Sequence, residues 1–169
     1  IHRKNPIIDL KKKKVDILVN LSASPYTLKK LELRSKVSSF AAQYLQVPLI
    51  YVNQIGANDN LIFDGNSFIL DKNGSKIKQL KSFSEDLSSW EIEQTKPEKN
   101  KFENSEMSSI FDALVLGVKD YAKKCGFKTA LVGLSGGIDS ALVSAIATAA
   151  LGSDNVYCVS MPSKWSSSH

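Results

Sequence analysis

The segment Gly133-Leu-Ser-Gly-Gly-Ile-Asp-Ser140 stands between an apolar stretch, Thr129 to Leu134, and an amphipathic one from about Ile138 to Leu151. A strand that runs through adjacent glycines into a helix is the βα turn of a parallel α/β fold, where such folds place a phosphate. Two glycines let the backbone turn tightly and bring its N–H groups against an anion, and the positive end of the helix dipole adds attraction. The loop is not of the Walker A kind, because the lysine and hydroxyl residue that should follow its second glycine are missing. An acid, Asp139, and a hydroxyl, Ser140, occupy the helix start instead. An acid beside phosphate repels it unless a divalent cation lies between, so Asp139 points to Mg²⁺ held by one carboxylate, phosphate oxygens and water. In the competing structural reading, Ser135 is a plain N-cap, the glycines a plain turn and Asp139 a dipole-complementing acid. The strand before, the helix after and the pattern of all eight residues weigh against it.

A chain of 169 residues with 43% hydrophobic content is ordinary folding material, enough for one domain or pieces of two. No apolar run approaches the roughly 20 residues that span a bilayer, and no secretory leader opens the sequence, so a cytoplasmic location without membrane contact is expected. The net charge of +5 is modest, and Lys11 to Lys14 precede a strand without interleaved aromatics, which reads as a solvated turn rather than a nucleic-acid patch. The two cysteines, Cys125 and Cys158, have no nearby histidine and read as buried or packing thiols. His2 and His169 lie at opposite ends and offer no metal-ligand spacing.

The pattern along the chain starts with a buried strand, Val15 to Val19. Ser24-Pro25 supplies an N-cap and a first-turn proline for a helix to Leu45. Leu33, Val37, Phe40, Ala41, Tyr44 and Leu45 form its expected core-facing stripe. Pro48 to Val52 and Ile62-Phe63 read as strands, and Ser67 to Asp71 with Ser75 to Leu80 as a hairpin about Lys72-Asn73-Gly74. Apolar content falls from Ser82 to Ser105, with Thr95-Lys-Pro-Glu-Lys-Asn100 the clearest linker, so domains of residues 1–94 and 106–169 joined by 95–105 are expected. Ser105 caps a second helix, Glu106 to Cys125, with Ile110, Leu114, Val118 and Tyr121 on one face and Gly126 as its stop. Strand Thr129 to Leu134, the glycine loop, helix Ile138 to Leu151, the stop Gly152 and strand Val156 to Met161 complete a right-handed βαβ unit.

The octapeptide closely resembles the pyrophosphatase loop of ATP-dependent adenylating enzymes of the N-type. That loop serves several families, and its company chooses among them. Met161-Pro-Ser-Lys-Trp-Ser-Ser resembles a Met-Pro-Ser-Lys-Tyr-Ser-Ser segment of the glutamine-dependent NAD⁺ synthetases. Upstream, Asn20-Leu-Ser-Ala-Ser-Pro-Tyr26, Lys30-Leu-Glu-Leu-Arg34, Tyr51-Val-Asn53 and Phe63-Asp-Gly-Asn-Ser-Phe68 are similar to the C-terminal half of that family's nitrilase-type glutaminase domain. The resemblance covers essentially the whole chain in the family's order; Trp165 in place of tyrosine is a conservative departure.

The resemblance implies an α/β fold: the C-terminal part of a nitrilase-like αββα sandwich, then the start of a Rossmann-like parallel-sheet pyrophosphatase domain. It implies a ligase of NAD biosynthesis in which ATP adenylates deamido-NAD⁺ with loss of pyrophosphate, and ammonia released from glutamine displaces AMP. ATP and Mg²⁺ are the expected cofactors, deamido-NAD⁺, ATP and glutamine the small-molecule partners, and a homo-oligomer the expected assembly. Ser135, Gly136, Gly137 and Ser140 then contact phosphate, Asp139 the metal, and Gly133, Leu134, Ile138 and Met161 line the ATP site. Ser24 and Lys30 match glutamine-contacting positions, although Ser24 also makes a good N-cap and Lys30 an ordinary exposed residue. Asn53 and Asp64, polar residues at strand ends, read as loop-ordering. The family's catalytic Glu, Lys and Cys fall upstream of Ile1, so the chain reads as an internal segment that is inactive alone. Another pyrophosphatase-loop amidotransferase, a tRNA-modifying enzyme and a non-catalytic ATP-binding fragment stay open beside this reading.

Overall fold

The computed structural model describes residues 6–93, 96 and 105–162. Most of the expected linker, His2, His169 and residues 163–169, including Trp165, lie outside them. The chain divides into two compact units: residues 1–55 with 63–104, and residues 56–62 with 105–169. Both are α/β, as the sequence pattern predicts.

The first unit contains helix α1 (Pro6–Lys12), strand β1 (Leu18–Ser22), helix α2 (Lys30–Leu45) and strand β2 (Leu49–Asn53). Strands β3 (Ile55–Asn58) and β4 (Leu61–Asp64) pair in a two-stranded sheet whose residues 56–62 group with the second unit. Strands β5 (Phe68–Leu70) and β6 (Lys76–Gln79) complete a four-stranded sheet of order β1-β2-β5-β6. β1 and β2 run parallel, Leu18 opposite Leu49, and β2, β5 and β6 pair antiparallel. The β5–β6 turn closes as expected, because Gly74 takes φ 78° and Asp71 Oδ1 accepts the amides of Asn73 and Ser75 at 2.9 and 2.8 Å. Ala41 and Ala42 of α2 pack on Leu49, Tyr51, Phe68 and Leu70, with the rings of Tyr51 and Phe68 stacked 4.9 Å apart.

Three expectations for this unit need correction. The first strand starts three residues later, at Leu18. Helix α2 starts at Lys30, not Pro25; its N-cap, Lys29, has φ 61° and no side-chain cap, so Ser24 lies in the loop before the helix. The α2 stripe is rotated by one position. Leu33, Val37, Phe40 and Tyr44 are exposed, whereas Arg34, Ser38, Ala41, Ala42 and Leu45 are buried. Small side chains at 38, 41 and 42 let the helix approach the sheet closely, and Arg34 enters the interior because an acid meets it there.

The second unit contains α3 (Glu106–Cys125), β7 (Ala130–Leu134), α4 (Ile138–Leu151), a 3₁₀ turn (Ser153–Asn155) and β8 (Val156–Ser160). Ser105 Oγ accepts the amide of Ser108 at 3.1 Å, and Gly126 ends α3 at φ 75°. β7 and β8 are parallel, Ala130 opposite Val156, with α4 as the crossover. Helix α3 buries Ala113 and Ala122, and of its predicted face Leu114, Val118 and Tyr121 are exposed. Within this unit Asp120 Oδ2 accepts the amide of Ala57 at 2.8 Å, and the Lys124 ammonium donates to the Ala57 carbonyl. The cysteines are exposed free thiols rather than buried ones. Cys125 ends α3, and Cys158 lies on a sheet that α4 alone cannot cover on both faces; its thiol reaches Ser144 Oγ at 3.7 Å.

Candidate functional site

Sequence and fold together build the glycine loop at the carboxyl end of β7. Gly136 takes φ 83°, a left-handed conformation that favours glycine, although a Cβ there would meet nothing within 4 Å. Gly137, extended at φ −86° and ψ 160°, is the N-cap of α4 and brings no side chain to the cap. The amides of Ile138, Asp139 and Ser140 therefore have no acceptor within their own helix, and the first such bond runs from Ala141 to the Gly137 carbonyl at 3.2 Å.

Two serines hold the loop's shape. Ser140 Oγ donates to the Gly137 carbonyl at 2.9 Å and accepts the Ser135 amide at 3.3 Å. The two hydroxyls lie 3.2 Å apart, and Ser135 Oγ accepts the Gly137 amide at 3.3 Å. Ser135, Gly136, Gly137, Ile138 and Asp139 are exposed, Leu134 and Ser140 partly so. The arrangement is a rim of backbone N–H groups and hydroxyls at the positive end of a 14-residue helix, suited to a multiply charged anion. Met161, one residue past β8 and 74% exposed, lies across Gly133: its Cε would sit 3.3 Å from a Cβ placed there. The structure thus brings Gly133, Leu134 and Met161 to the carboxyl ends of neighbouring parallel strands, beside the loop.

Among the described residues no group of three or more His, Cys, Asp or Glu side chains gathers as a metal site. Asp139 offers a single exposed carboxylate in the first turn of α4. That donor set fits Mg²⁺, which takes one or two carboxylates and fills its octahedron with phosphate oxygens and water.

In the first unit Ser24 and Lys30 both lie on the connection between β1 and α2, Ser24 in the loop and Lys30 at the first helical position. Ser24 is gripped through its backbone: its amide donates to Asn53 Oδ1 at 2.9 Å and its carbonyl accepts from Asn53 Nδ2 at 3.2 Å. Behind it sits a buried ion pair absent from the sequence reading. Arg34, 6% exposed, donates to both oxygens of Asp64, 1% exposed, at 2.6 and 3.2 Å, and its Nη2 also faces the carbonyls of Ser24 and Pro25 at 3.4 and 3.5 Å. Asp64 further accepts from Asn66 at 2.8 Å and Asn53 at 3.4 Å. The loop-ordering role expected of Asn53 and Asp64 is what the geometry shows. Arg34 was hidden because an arginine on an amphipathic helix reads as surface. The signal that could have found it is its offset of one from the apolar stripe. A separate cleft of about 380 Å³, lined among others by Ile50, Val52, Leu80, Leu87 and Trp90, includes neither Ser24 nor Lys30.

Residues 1–97, more than half of the chain, match the family model described as carbon-nitrogen hydrolase. The chain belongs to the carbon-nitrogen hydrolase family. Residues 110–169 match a second model, described as NAD synthase, so the hydrolase part is followed in the chain by the part that carries the glycine loop. The chain is 48% identical over 170 residues to the glutamine-dependent NAD(+) synthetase of Synechocystis sp., covering 98% of this chain and 30% of that protein. It is 35% identical to the enzyme of the same name from Thermotoga maritima, covering 90% of this chain and 33% of the other. The solved structure of glutamine-dependent NAD+ synthetase from Acinetobacter baumannii in complex with ADP superposes with a TM-score of 0.88 at 37% identity, over 96% of this chain and 32% of that one. The expected similarity to glutamine-dependent NAD⁺ synthetases is borne out, and this hydrolase-family chain spans about a third of the length of these relatives. No helix among the described residues is long and apolar enough to cross a membrane.

Proposed function

We propose that this chain is an internal segment of a cytoplasmic, homo-oligomeric glutamine-dependent NAD⁺ synthetase, with residues 1–94 from its glutaminase domain, 95–105 a linker and 106–169 the start of its synthetase domain. The observation that carries the reading is the order of the two matches within one chain, hydrolase then NAD synthase, with the glycine loop inside the second.

In this reading the amides of Gly136 to Ser140 and the hydroxyls of Ser135 and Ser140 receive the phosphates of ATP. Gly133, Leu134, Ile138 and Met161 line the nucleotide site; that the similar Acinetobacter baumannii protein was solved in complex with ADP supports adenine-nucleotide binding in general. Asp139 would hold Mg²⁺, which when bound would supply charge neutralisation for the leaving pyrophosphate. The chain's own part in this step is electrostatic: fixed N–H dipoles already aimed at the anion need no reorganisation as negative charge develops on it. The carboxylate of deamido-NAD⁺ takes the AMP group as pyrophosphate departs; ammonia then attacks the carbonyl carbon and AMP leaves. Ser24 and Lys30 contact the glutamine that supplies the ammonia. The helix-start correction supports Ser24 in this role, because a serine that does not cap α2 keeps its hydroxyl for another partner.

The test is turnover by the full-length protein with deamido-NAD⁺, ATP, Mg²⁺ and glutamine. Equal formation of NAD⁺, AMP and pyrophosphate is expected; ATP consumption that yields ADP and phosphate in their place would overturn the adenylating mechanism.

A further inference from the structure

A buried guanidinium–carboxylate pair is expensive to desolvate and does not by itself make a protein more stable than a well-packed apolar pair would. The Arg34–Asp64 pair therefore calls for a reason beyond stability, and its remaining bonds point in one direction. Arg34 Nη2 faces the carbonyls of Ser24 and Pro25, and Asn53, itself donating to Asp64, takes both the amide and the carbonyl of Ser24. The peptide groups on both sides of Ser24 are thus fixed from below, while among the described residues no partner takes the Ser24 hydroxyl. Lys30 stands four residues before Arg34 on α2, on the same helical face. One buried network thus sets Ser24 through its backbone, and Lys30, the other residue assigned to glutamine, shares the helical face of Arg34.

We propose that Arg34 and Asn53, held by Asp64, are positioning residues for the amide substrate, and that they act through the backbone of Ser24. The proposal rests on the glutamine reading given above. A serine hydroxyl on a loop without a helical cap samples many orientations. Fixing both flanking peptides removes that entropy cost from the binding step, which is preorganisation of the ligand contact.

The test uses the full-length protein. Arg34→Lys keeps a cation beside Asp64 but gives up the planar fork that reaches the carboxylate and the carbonyls together. Asn53→Ala removes both bonds to Ser24 and leaves the ion pair whole, so it decides the matter if Arg34→Lys does not fold. Each is expected to raise the KM for glutamine about tenfold, the weight of one or two hydrogen bonds, while kcat and the KM for ATP stay within about twofold. In a Ser24→Ala background, which itself raises the glutamine KM, neither substitution should add more than about twofold, because coupled residues are not additive. Unchanged glutamine KM in the folded variants, parallel rises in the glutamine and ATP KM, or full additivity with Ser24→Ala would each overturn the proposal. A Ser24→Ala enzyme with unchanged glutamine KM removes the binding assignment on which it rests, and a wild-type protein that makes no NAD⁺ from glutamine removes the functional reading itself.

Discussion

The hydroxyl of Ser140 donates to the carbonyl of Gly137 at 2.9 Å, so the glycine loop is latched by the first turn of the helix that follows it. The same oxygen accepts the Ser135 amide, which closes the loop from its other end. Ser140→Ala removes both bonds and a hydroxyl assigned to phosphate. The expected outcome is a rise of about tenfold in the KM for ATP, from the loss of roughly 1.5 kcal/mol of hydrogen bonding, with the glutamine KM unchanged; steady-state titration of each substrate separates the two.

Gly136 is required for its backbone rather than for space. Gly136→Ala puts a Cβ into open surroundings at φ 83° and should cost about 1 to 2 kcal/mol. Lower thermal stability with weaker ATP binding is expected, whereas Gly137→Ala, at φ −86° and with only Ser135 Oγ near its Cβ, should be milder. Thermal unfolding with and without ATP compares the two.

In the proposed function Asp139 would hold Mg²⁺. Asp139→Ala should lower kcat roughly 100-fold or more, the scale seen when one group stabilising transition-state charge is removed, and should move the Mg²⁺ dependence of the rate to higher concentration. Initial rates across a Mg²⁺ series measure both.

Asp64→Ala would leave Arg34 buried beside no carboxylate. Breaking a buried pair in this way costs about 3 to 5 kcal/mol, so a large fall in the denaturant midpoint is expected, with Asp64→Asn milder because the amide oxygen still accepts.

Asp120 and Ala57 give a local readout. The Asp120 carboxylate accepts the Ala57 amide, and a Cβ on Gly56, at φ 121°, would lie 2.9 Å from that same oxygen. Asp120→Ala should accelerate hydrogen exchange at the Ala57 amide, since protection follows the opening of that bond.

How much of this was legible depended on where the determinants lay. Helices α3 and α4 begin and end where their local signals say, because Ser105, Gly126 and the paired glycines act on the residues beside them. Helix α2 did not, because Ser24-Pro25 imitates a cap signal while its backbone polar groups are taken by Asn53, 29 residues away. The α2 stripe was misplaced for a related reason. Periodicity gives the spacing of a buried face, but its rotation was decided by close packing at Ala41 and Ala42 and by Asp64, which local sequence does not reveal. The glycine loop could be read directly, since its conformation is local; the Arg34 network could not, since the bonds that define it, Arg34 to Asp64 and Asn53 to Ser24, join segments 30 and 29 residues apart. The exposed Cys158 was misread because an apolar strand implies burial only where something covers both faces.

The most direct measurement of the central claim supplies the full-length protein with glutamine labelled with ¹⁵N at the side-chain amide, together with deamido-NAD⁺, ATP and Mg²⁺, and follows the label by mass spectrometry. The account predicts ¹⁵N in the carboxamide of NAD⁺, with one AMP and one pyrophosphate per labelled product. Glutamine hydrolysis without labelled NAD⁺, or no hydrolysis at all, would contradict it.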